Sequence, residues 1–259
     1  MQGVHNLFSG EFTPSLAAPN PSPHRARAPG LYHCHMTETA PAALQAIILA
    51  GGLSRRLGGV PKAGLMFEGQ TLLARTVDAA ARVIGAWPGV PAAQAAVAVV
   101  GPVGEVAVWL ETAASGHRAR TVQEDPPFSG PAAGIAAGLE ALDSRDGHVL
   151  VLACDMPRVG EIVQLLAAEL AACAPGQGVM AVAGGRKQPL AAIYPLAALR
   201  LAVAEAGAAH RLENASVFSL VASVNIKECA VPPGLTADID TWEDARAQGI
   251  AAEPAGAEG

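Results

Sequence analysis

Short apolar runs alternate with stretches of helical apolar spacing along the chain from residue 45 onwards. The runs predict seven strands, at Ala46–Ala50, Ala95–Val100, Arg120–Val122, His148–Ala153, Val179–Val182, Pro189–Tyr194 and Ser223–Val231. The stretches between them predict five helices, at Thr71–Ile84, Glu105–Ala114, Pro131–Leu142, Glu161–Ala172 and Pro195–Ala206. This alternation indicates βαβ units, and therefore an α/β fold with a mostly parallel central sheet. In such sheets, ligands bind beyond the carboxyl ends of the strands.

The two ends of the chain differ from this pattern. Residues 1–40 are rich in Pro, Ser, His and Ala and show no period of 2 or 3.6, so we predict a disordered N-terminal extension there. Met36 begins a more ordinary N-terminus, and we expect the native product to start at that residue. One domain is predicted over 41–250, followed by a frayed tail over 251–259.

Composition excludes several classes of protein. The net charge of −6 argues against general nucleic-acid binding, although it permits a local basic pocket. No apolar run approaches the roughly 18 residues that cross a membrane. The four cysteines form no C-x-x-C pair, and no secretory signal precedes them, so we expect reduced thiols and a cytoplasmic location.

The loop after the first predicted strand carries the strongest chemical signal. It reads Leu49-Ala-Gly-Gly-Leu-Ser-Arg-Arg-Leu-Gly-Gly-Val-Pro-Lys62. Glycines let the backbone approach a ligand closely, and the cations Arg55, Arg56 and Lys62 suit phosphates. The loop lacks the Gly-Lys-Ser/Thr ending of a P-loop and the G-x-G-x-x-G spacing of a dinucleotide fingerprint.

Three further segments carry candidate chemistry. Asp125 precedes Gly130-Pro131, where proline suits the first turn of a helix, although Asp125 itself also fits a turn. Asp155 ends a buried strand, where it could bind Mg²⁺ or cap a helix. Asp240 precedes Thr241, which together with Glu243 and Asp244 also indicates a helix start.

These motifs together resemble those of the nucleotidyltransferases with a Rossmann-like fold. The loop resembles their signature L-A-G-G-x-S-x-R-M-G followed by a lysine, and within that superfamily it looks most like the molybdenum cofactor guanylyltransferases. Residues 124–135 resemble the family's D-x-x-x-x-G-P-L-A-G, residues 154–157 its C-D-x-P, residues 186–190 its R-x-x-P-L, and residues 238–242 its D-x-D-T-P. The chain departs from the family at Pro61, where Asp is common, and at Trp242, where Pro is usual.

The resemblance implies a fold and a set of roles. The fold is a Rossmann-like three-layer sandwich of the nucleotide-diphospho-sugar transferase type. Catalytic roles fall to Arg56, Lys62 and Asp155, and Mg²⁺ binding falls to Asp155 and Asp240. Asp125 would contact the base, while Arg186 and Pro189 would face the acceptor, although Arg186 also fits an exposed hairpin turn. The implied nucleotide-binding residues are Leu49, Ala50, Gly51, Gly52, Ser54, Arg56, Gly58, Lys62, Asp125, Gly130 and Pro131.

The resemblance also implies a reaction. GMP would pass from GTP to the terminal phosphate of molybdopterin, with release of pyrophosphate and formation of the guanine dinucleotide form of the molybdenum cofactor. Gly52 favours GTP over CTP, because cytidylyltransferase relatives tend to carry L-A-A-G. Cobinamide-phosphate or sugar-phosphate acceptors, a Mg²⁺-dependent hydrolase and a non-catalytic nucleotide-binding protein remain alternatives. A molybdenum insertion protein and molybdoenzyme chaperones are partners by family analogy alone.

Overall fold

A computed structural model of the protein describes residues 43–52, 54–88 and 96–250. These residues belong to one unit, residues 39–259, of the two into which the chain divides. The predictions for residues 1–40, for a start at Met36 and for the tail at 251–259 lie outside the described residues.

Strands and helices alternate along the described chain. The strands are β1 (Leu44–Leu49), β2 (Met66–Phe67), β3 (Gln70–Thr71), β4 (Val97–Val100), β5 (Ala119–Val122), β6 (His148–Ala153), β7 (Gly178–Ala183), β8 (Arg186–Pro195) and β9 (Ile226–Ala230). The helices are α1 (Leu72–Ala86), α2 (Val103–Trp109), α3 (Pro131–Glu140), α4 (Val159–Leu170), α5 (Leu196–Ala208), α6 (Val217–Leu220) and α7 (Trp242–Ala247).

Seven strands form the central sheet, in the order β5-β4-β1-β6-β8-β7-β9, and β2 pairs with β3 in a separate hairpin. Within the described sheet, β8 runs antiparallel to both of its neighbours and the other pairs are parallel. The direction of β8 follows from the turn at Gly184 and Gly185, which both have positive φ and join β7 directly to β8. Two residues are too few for a crossover, so the strands must be antiparallel. The sheet is therefore mostly parallel, as predicted.

Helices cover both faces of this sheet. In β1, alternate residues enter different cores, because successive side chains of a strand point to opposite faces. Ile48 lies in the core beneath α1 and α4, and Ile47 lies in the core beneath α3 and α5. The result is the three-layer α/β sandwich that the sequence predicted. None of the helices in the described ranges has the length and apolarity needed to cross a membrane.

A third, smaller core lies apart from the two large ones. We call it the satellite cluster; its buried members are Leu57, Leu65, Leu72, Ile239, Ala245 and Ile250. The cluster joins the glycine-rich loop after β1 to the segment around α7, which are far apart in sequence. It is therefore the packing that fixes the position of the C-terminal segment against the loop.

The main disagreements with the predicted elements have local causes. Helix α2 ends at Trp109 instead of Ala114, because the backbone N–H groups of Ala114 and Ser115 donate to the carboxylate of Asp78 at 3.1 and 2.7 Å. The β2–β3 hairpin and α6 were not predicted, since two to four residues are too few to show a period. Helix α7 does begin after Thr241, which forms a capping box with Asp244.

Glycines in α3 bring that helix close to β1. A Cβ on Gly138 would lie 2.6 Å from Cγ2 of Ile47, and one on Gly134 would lie 3.1 Å from a methyl group of Leu49. Non-bonded carbon atoms do not approach each other to 2.6 Å. Ile47 is fully buried in a close-packed core, so its side chain cannot move away. The close contact of helix and strand therefore depends on Gly138.

We predict opposite effects for two glycine-to-alanine substitutions in helices. Gly138→Ala should lower the free energy of unfolding by about 1–3 kcal/mol, because the new methyl group overpacks the core. Gly85→Ala in α1 should instead raise it by up to about 1 kcal/mol, because the new Cβ would lie 3.9 Å from Arg118 and alanine favours helix. Urea unfolding of the wild type and the two variants measures both effects. Equal stability of the two variants would contradict the close packing of α3 on β1.

Candidate active site

A cavity of about 520 Å³ lies beyond the carboxyl ends of β1, β4 and β6. This volume is in the range of sites that bind small molecules and cofactors. Its lining combines three cations with three carboxylates and several glycines. The lining residues are Leu49, Ala50, Gly51, Gly52, Ser54, Arg55, Arg56, Pro61, Lys62, Ala63, Val100, Glu124, Phe128, Gly130, Pro131, Gly134, Ala153, Cys154, Asp155, Leu190 and Asp240.

The glycine-rich loop turns back on itself at Ser54. Ser54 has a left-handed φ of 40°, and its carbonyl accepts hydrogen bonds from the N–H groups of Leu57 and Gly59 at 2.9 and 3.1 Å. Its hydroxyl also accepts a hydrogen bond from the backbone N–H of Lys62 at 3.4 Å. Gly51 and Gly52 are exposed, and a Cβ on Gly52 would meet no atom within 4 Å. The loop is thus fixed at its base and open at its glycines, which leaves room for a ligand.

Lys62 joins two acidic residues from distant parts of the chain. Its ammonium group donates to Asp155 at 3.3 Å and to Asp240 at 2.5 Å. Arg56 donates to the other oxygen of Asp240 at 3.2 Å, with 74% of its own side chain exposed. The three residues assigned catalytic roles from the sequence therefore lie in one connected ionic group, together with Asp240.

Asp238 completes a group of three carboxylates. One oxygen from each of Asp155, Asp238 and Asp240 lies within 4.8 Å of the others. Carboxylate oxygens are the ligands that Mg²⁺ and Mn²⁺ prefer, so the donor set fits a divalent cation. Asp238 was not among the predicted metal ligands, although the alternation Asp238-Ile-Asp240 could have revealed it, since residues two apart in an extended segment share a face.

The residue between these two aspartates holds the group together. The backbone N–H of Ile239 donates to the carbonyl of Asp155 at 3.1 Å. Its side chain is fully buried in the satellite cluster. With Ile239 anchored inward, the carboxylates on either side of it are held close to Asp155.

Burial and charge shift the pKa values of these groups. Burial raises the pKa of Asp155 above its ordinary value, with Asp238 adding to the rise and Lys62 opposing it. Burial alone would lower the pKa of Lys62, but the hydrogen bond that Lys62 donates to Asp240 and the charges of Asp155 and Asp240 outweigh burial and raise the pKa. Lys62 is therefore a permanent positive charge at neutral pH. Burial also raises the pKa of the Cys154 thiol far above its usual range, so Cys154 stays protonated and unreactive.

Of two adjacent acidic residues, Glu124 and Asp125, one lies in the cavity lining and the other does not. Glu124 lines the cavity, whereas Asp125, to which the resemblance gave the base contact, is exposed and lies outside the lining. Glu124 accepts a hydrogen bond from the backbone N–H of Phe128 at 3.0 Å, and its carboxylate is 4.0 Å from the position of a Cβ on Gly51. Phe128, which also lines the cavity, carried no signal in the sequence.

The remaining predicted site residues divide into two sets. The cavity lining contains the nucleotide-binding residues named above, except Asp125 and Gly58. It also contains Arg55, a cation of the glycine-rich loop that was not among the predicted nucleotide-binding residues. Arg186 and Pro189 lie outside the lining: Arg186 is exposed at the first position of β8, just after the β7–β8 turn, and Pro189 accepts a hydrogen bond from the Tyr194 hydroxyl. The adjacent residue, Leu190, does reach the cavity.

Comparison with known proteins assigns this chain to a family. The model of the MobA-like NTP transferase domain matches residues 46–220. The molybdenum cofactor guanylyltransferase of Acidiphilium cryptum is 31% identical over 63% of this chain and 72% of its own length. A probable molybdenum cofactor guanylyltransferase of Opitutus terrae is 31% identical over 74% of this chain and 86% of its own length.

Solved structures support the same fold. The protein Rv0371c of Mycobacterium tuberculosis has a TM-score of 0.58 at 23% identity, over 80% of this chain and 97% of its own. A structure of Rv0371c in complex with manganese gives a TM-score of 0.55 at 20% identity, with the same coverage. The molybdopterin-guanine dinucleotide biosynthesis protein A of Archaeoglobus fulgidus has a TM-score of 0.51 at 19% identity, over 79% of this chain and 96% of its own. With a family model that matches residues 46–220 and a relative that is 31% identical over 86% of its own length, this chain belongs to the MobA-like NTP transferases and is a nucleotidyltransferase.

Proposed function

We propose that this enzyme transfers GMP from GTP to the terminal phosphate of molybdopterin, releasing pyrophosphate and forming the guanine dinucleotide form of the molybdenum cofactor. The observation that carries the proposal is the contact of Lys62 with Asp155 and Asp240 beside an open glycine-rich loop. In such a site, backbone N–H groups and cationic side chains can bind a triphosphate. The carboxylates can bind the divalent cation that accompanies the triphosphate. The names of the relatives supply the acceptor and the guanine base.

The chemistry requires alignment and charge neutralisation more than proton transfer. An oxygen of the acceptor phosphate attacks the α-phosphorus of GTP, a new P–O bond forms, and the bond to the β-phosphate breaks as pyrophosphate leaves. Because the attacking oxygen is already an anion, no strong general base is needed. Lys62 supplies a fixed positive charge at the reacting phosphate, and Arg56 supplies another toward the leaving group.

Asp155, Asp238 and Asp240 would hold a divalent cation, and we propose Mg²⁺. When bound, such a cation neutralises phosphate charge and favours the departure of pyrophosphate. Two of these carboxylates, those of Asp155 and Asp240, also keep Lys62 charged and oriented in the cavity.

The carboxylate of Glu124, near Gly51, is suited to bind the guanine base. A carboxylate can accept from both N1–H and the 2-amino group of guanine, a pairing that adenine does not offer. Glu124 lines the cavity and uses one of its lone pairs on Phe128, so others stay available. We therefore assign the base contact to Glu124 in preference to Asp125.

Calorimetric titration with GTP, CTP and ATP in the presence of Mg²⁺ tests the donor. We expect GTP to bind most tightly, and pyrophosphate release from GTP to require added molybdopterin. Tighter binding of CTP would move the enzyme to the cytidylyltransferases. Pyrophosphate release without an acceptor would indicate a hydrolase. If none of the three nucleotides binds, the cavity is not a nucleotide-binding site.

Replacing the partly buried carboxylate of Asp155 should remove catalysis without unfolding the protein. Asp155→Ala is expected to lower the transfer rate at least about 100-fold, since several kcal/mol of charge stabilisation depend on it. Manganese binding, followed by electron paramagnetic resonance, should weaken in parallel. Asp146→Ala, which removes an exposed carboxylate before β6, is the matched control and should change neither quantity. Wild-type turnover by Asp155→Ala would exclude Asp155 from the mechanism.

A second pair of variants separates the two adjacent acids. Glu124→Gln should weaken GTP binding about tenfold and narrow the preference for GTP over ATP, because an amide cannot accept two hydrogen bonds from guanine as a carboxylate does. Asp125→Asn should leave both values unchanged, because Asp125 lies outside the cavity lining. The reverse result, read from the same calorimetric titrations, would return the base contact to Asp125.

A further inference from the structure

Phe128 occupies an unusual position for a large apolar residue. Its side chain lines the cavity and is 47% exposed, so it contributes little to the core. Its backbone has a φ of 63°, in the left-handed region that aromatic residues rarely adopt. Neither the exposure nor the backbone conformation is explained by packing within the described part of the chain. Exposed groups held in sparsely populated conformations cluster at ligand sites.

The loop around Phe128 is held from both sides. The backbone N–H of Phe128 donates to Glu124 at 3.0 Å. The next residue, Ser129, is buried, and its carbonyl accepts a hydrogen bond from the N–H of Asn214 at 2.7 Å. Gly130 then approaches Asn214 so closely that a Cβ would lie 3.3 Å from its Cα. These contacts fix the backbone and keep the ring at the cavity.

The distribution of charge separates two parts of the cavity. Lys62, Arg56, Asp155 and Asp240 contact one another and form the ionic part. Phe128 is joined to Glu124, whose carboxylate faces Gly51 and would repel phosphate oxygens. Electrostatics therefore favours phosphates at the ionic part and an uncharged heterocycle beside Phe128.

We propose that Phe128 is the surface on which the nucleobase of the bound nucleotide stacks, while Glu124 accepts hydrogen bonds from the edge of that base. This inference rests on the proposed nucleotidyl transfer and adds a residue that determines the affinity of the donor. Stacking of a base on an aromatic ring contributes enough to binding that its loss weakens affinity about 10- to 100-fold. It is independent of base identity, since every base has a π-face, so selectivity remains with Glu124.

Two ligands test this role by equilibrium calorimetry with Mg²⁺: GTP, which has a base, and inorganic tripolyphosphate, which has none. Phe128→Ala should weaken GTP binding about 10- to 100-fold and leave tripolyphosphate binding within twofold of the wild type. Phe128→Trp should keep GTP affinity near that of the wild type, and its added fluorescence should be quenched by GTP. Phe218→Ala is the matched control, because Phe218 on α6 is 51% exposed and lies outside the cavity lining.

Several results would overturn the inference. Unchanged GTP affinity in Phe128→Ala would remove the stacking contact, and a rise in the KM of the acceptor alone would assign the ring to the acceptor. Equal losses for GTP and tripolyphosphate would show that Phe128 only supports the loop. If the wild type prefers CTP, the same comparison is made with CTP, and unchanged CTP affinity in Phe128→Ala overturns the inference. Failure of the wild type to bind any nucleotide would refute both proposals.

Discussion

Three carboxylates repel one another, so a group such as Asp155, Asp238 and Asp240 requires other interactions to hold it together. Here the packing of one residue does so. Ile239 is buried in the satellite cluster and bonds through its backbone to Asp155, and the aspartates beside it are thereby kept close. Lys62 adds a compensating charge, and the loop that carries Lys62 is packed into the same cluster through Leu57. The ionic site is thus assembled by apolar contacts outside it.

The features that the sequence predicted are those with local causes. A run of apolar residues ending in Asp155 fixes a strand and its end, and Gly130-Pro131 fixes a helix start. Loop glycines next to arginine and lysine indicate a phosphate site, and the cavity does contain these residues. Each of these signals lies within about a dozen neighbouring residues, so the chain reveals them without knowledge of its tertiary contacts.

The features that the sequence did not predict depend on distant parts of the chain. Asp238 acquires a partner only when Ile239 reaches Asp155, more than eighty residues earlier. The choice between Glu124 and Asp125 depends on the path of the backbone through Phe128 to Asn214. Neither contact produces a periodic pattern in the sequence. A shift of the backbone by one residue would put Asp125 in the cavity lining in place of Glu124. The strand β8 was predicted, but its antiparallel direction was not, because an apolar run indicates a strand and not the direction in which it runs.

The satellite cluster also contains fewer buried side chains than either of the two large cores. The two large cores hold the sheet and its covering helices, whereas the segment with Asp238 and Asp240 is attached through a few buried side chains. Regions with little buried apolar surface open at lower free energies than the whole protein does. Opening of this segment separates two carboxylates from the third while the sheet stays folded. Assembly of the three carboxylates is then a local equilibrium of its own, separate from unfolding of the sheet.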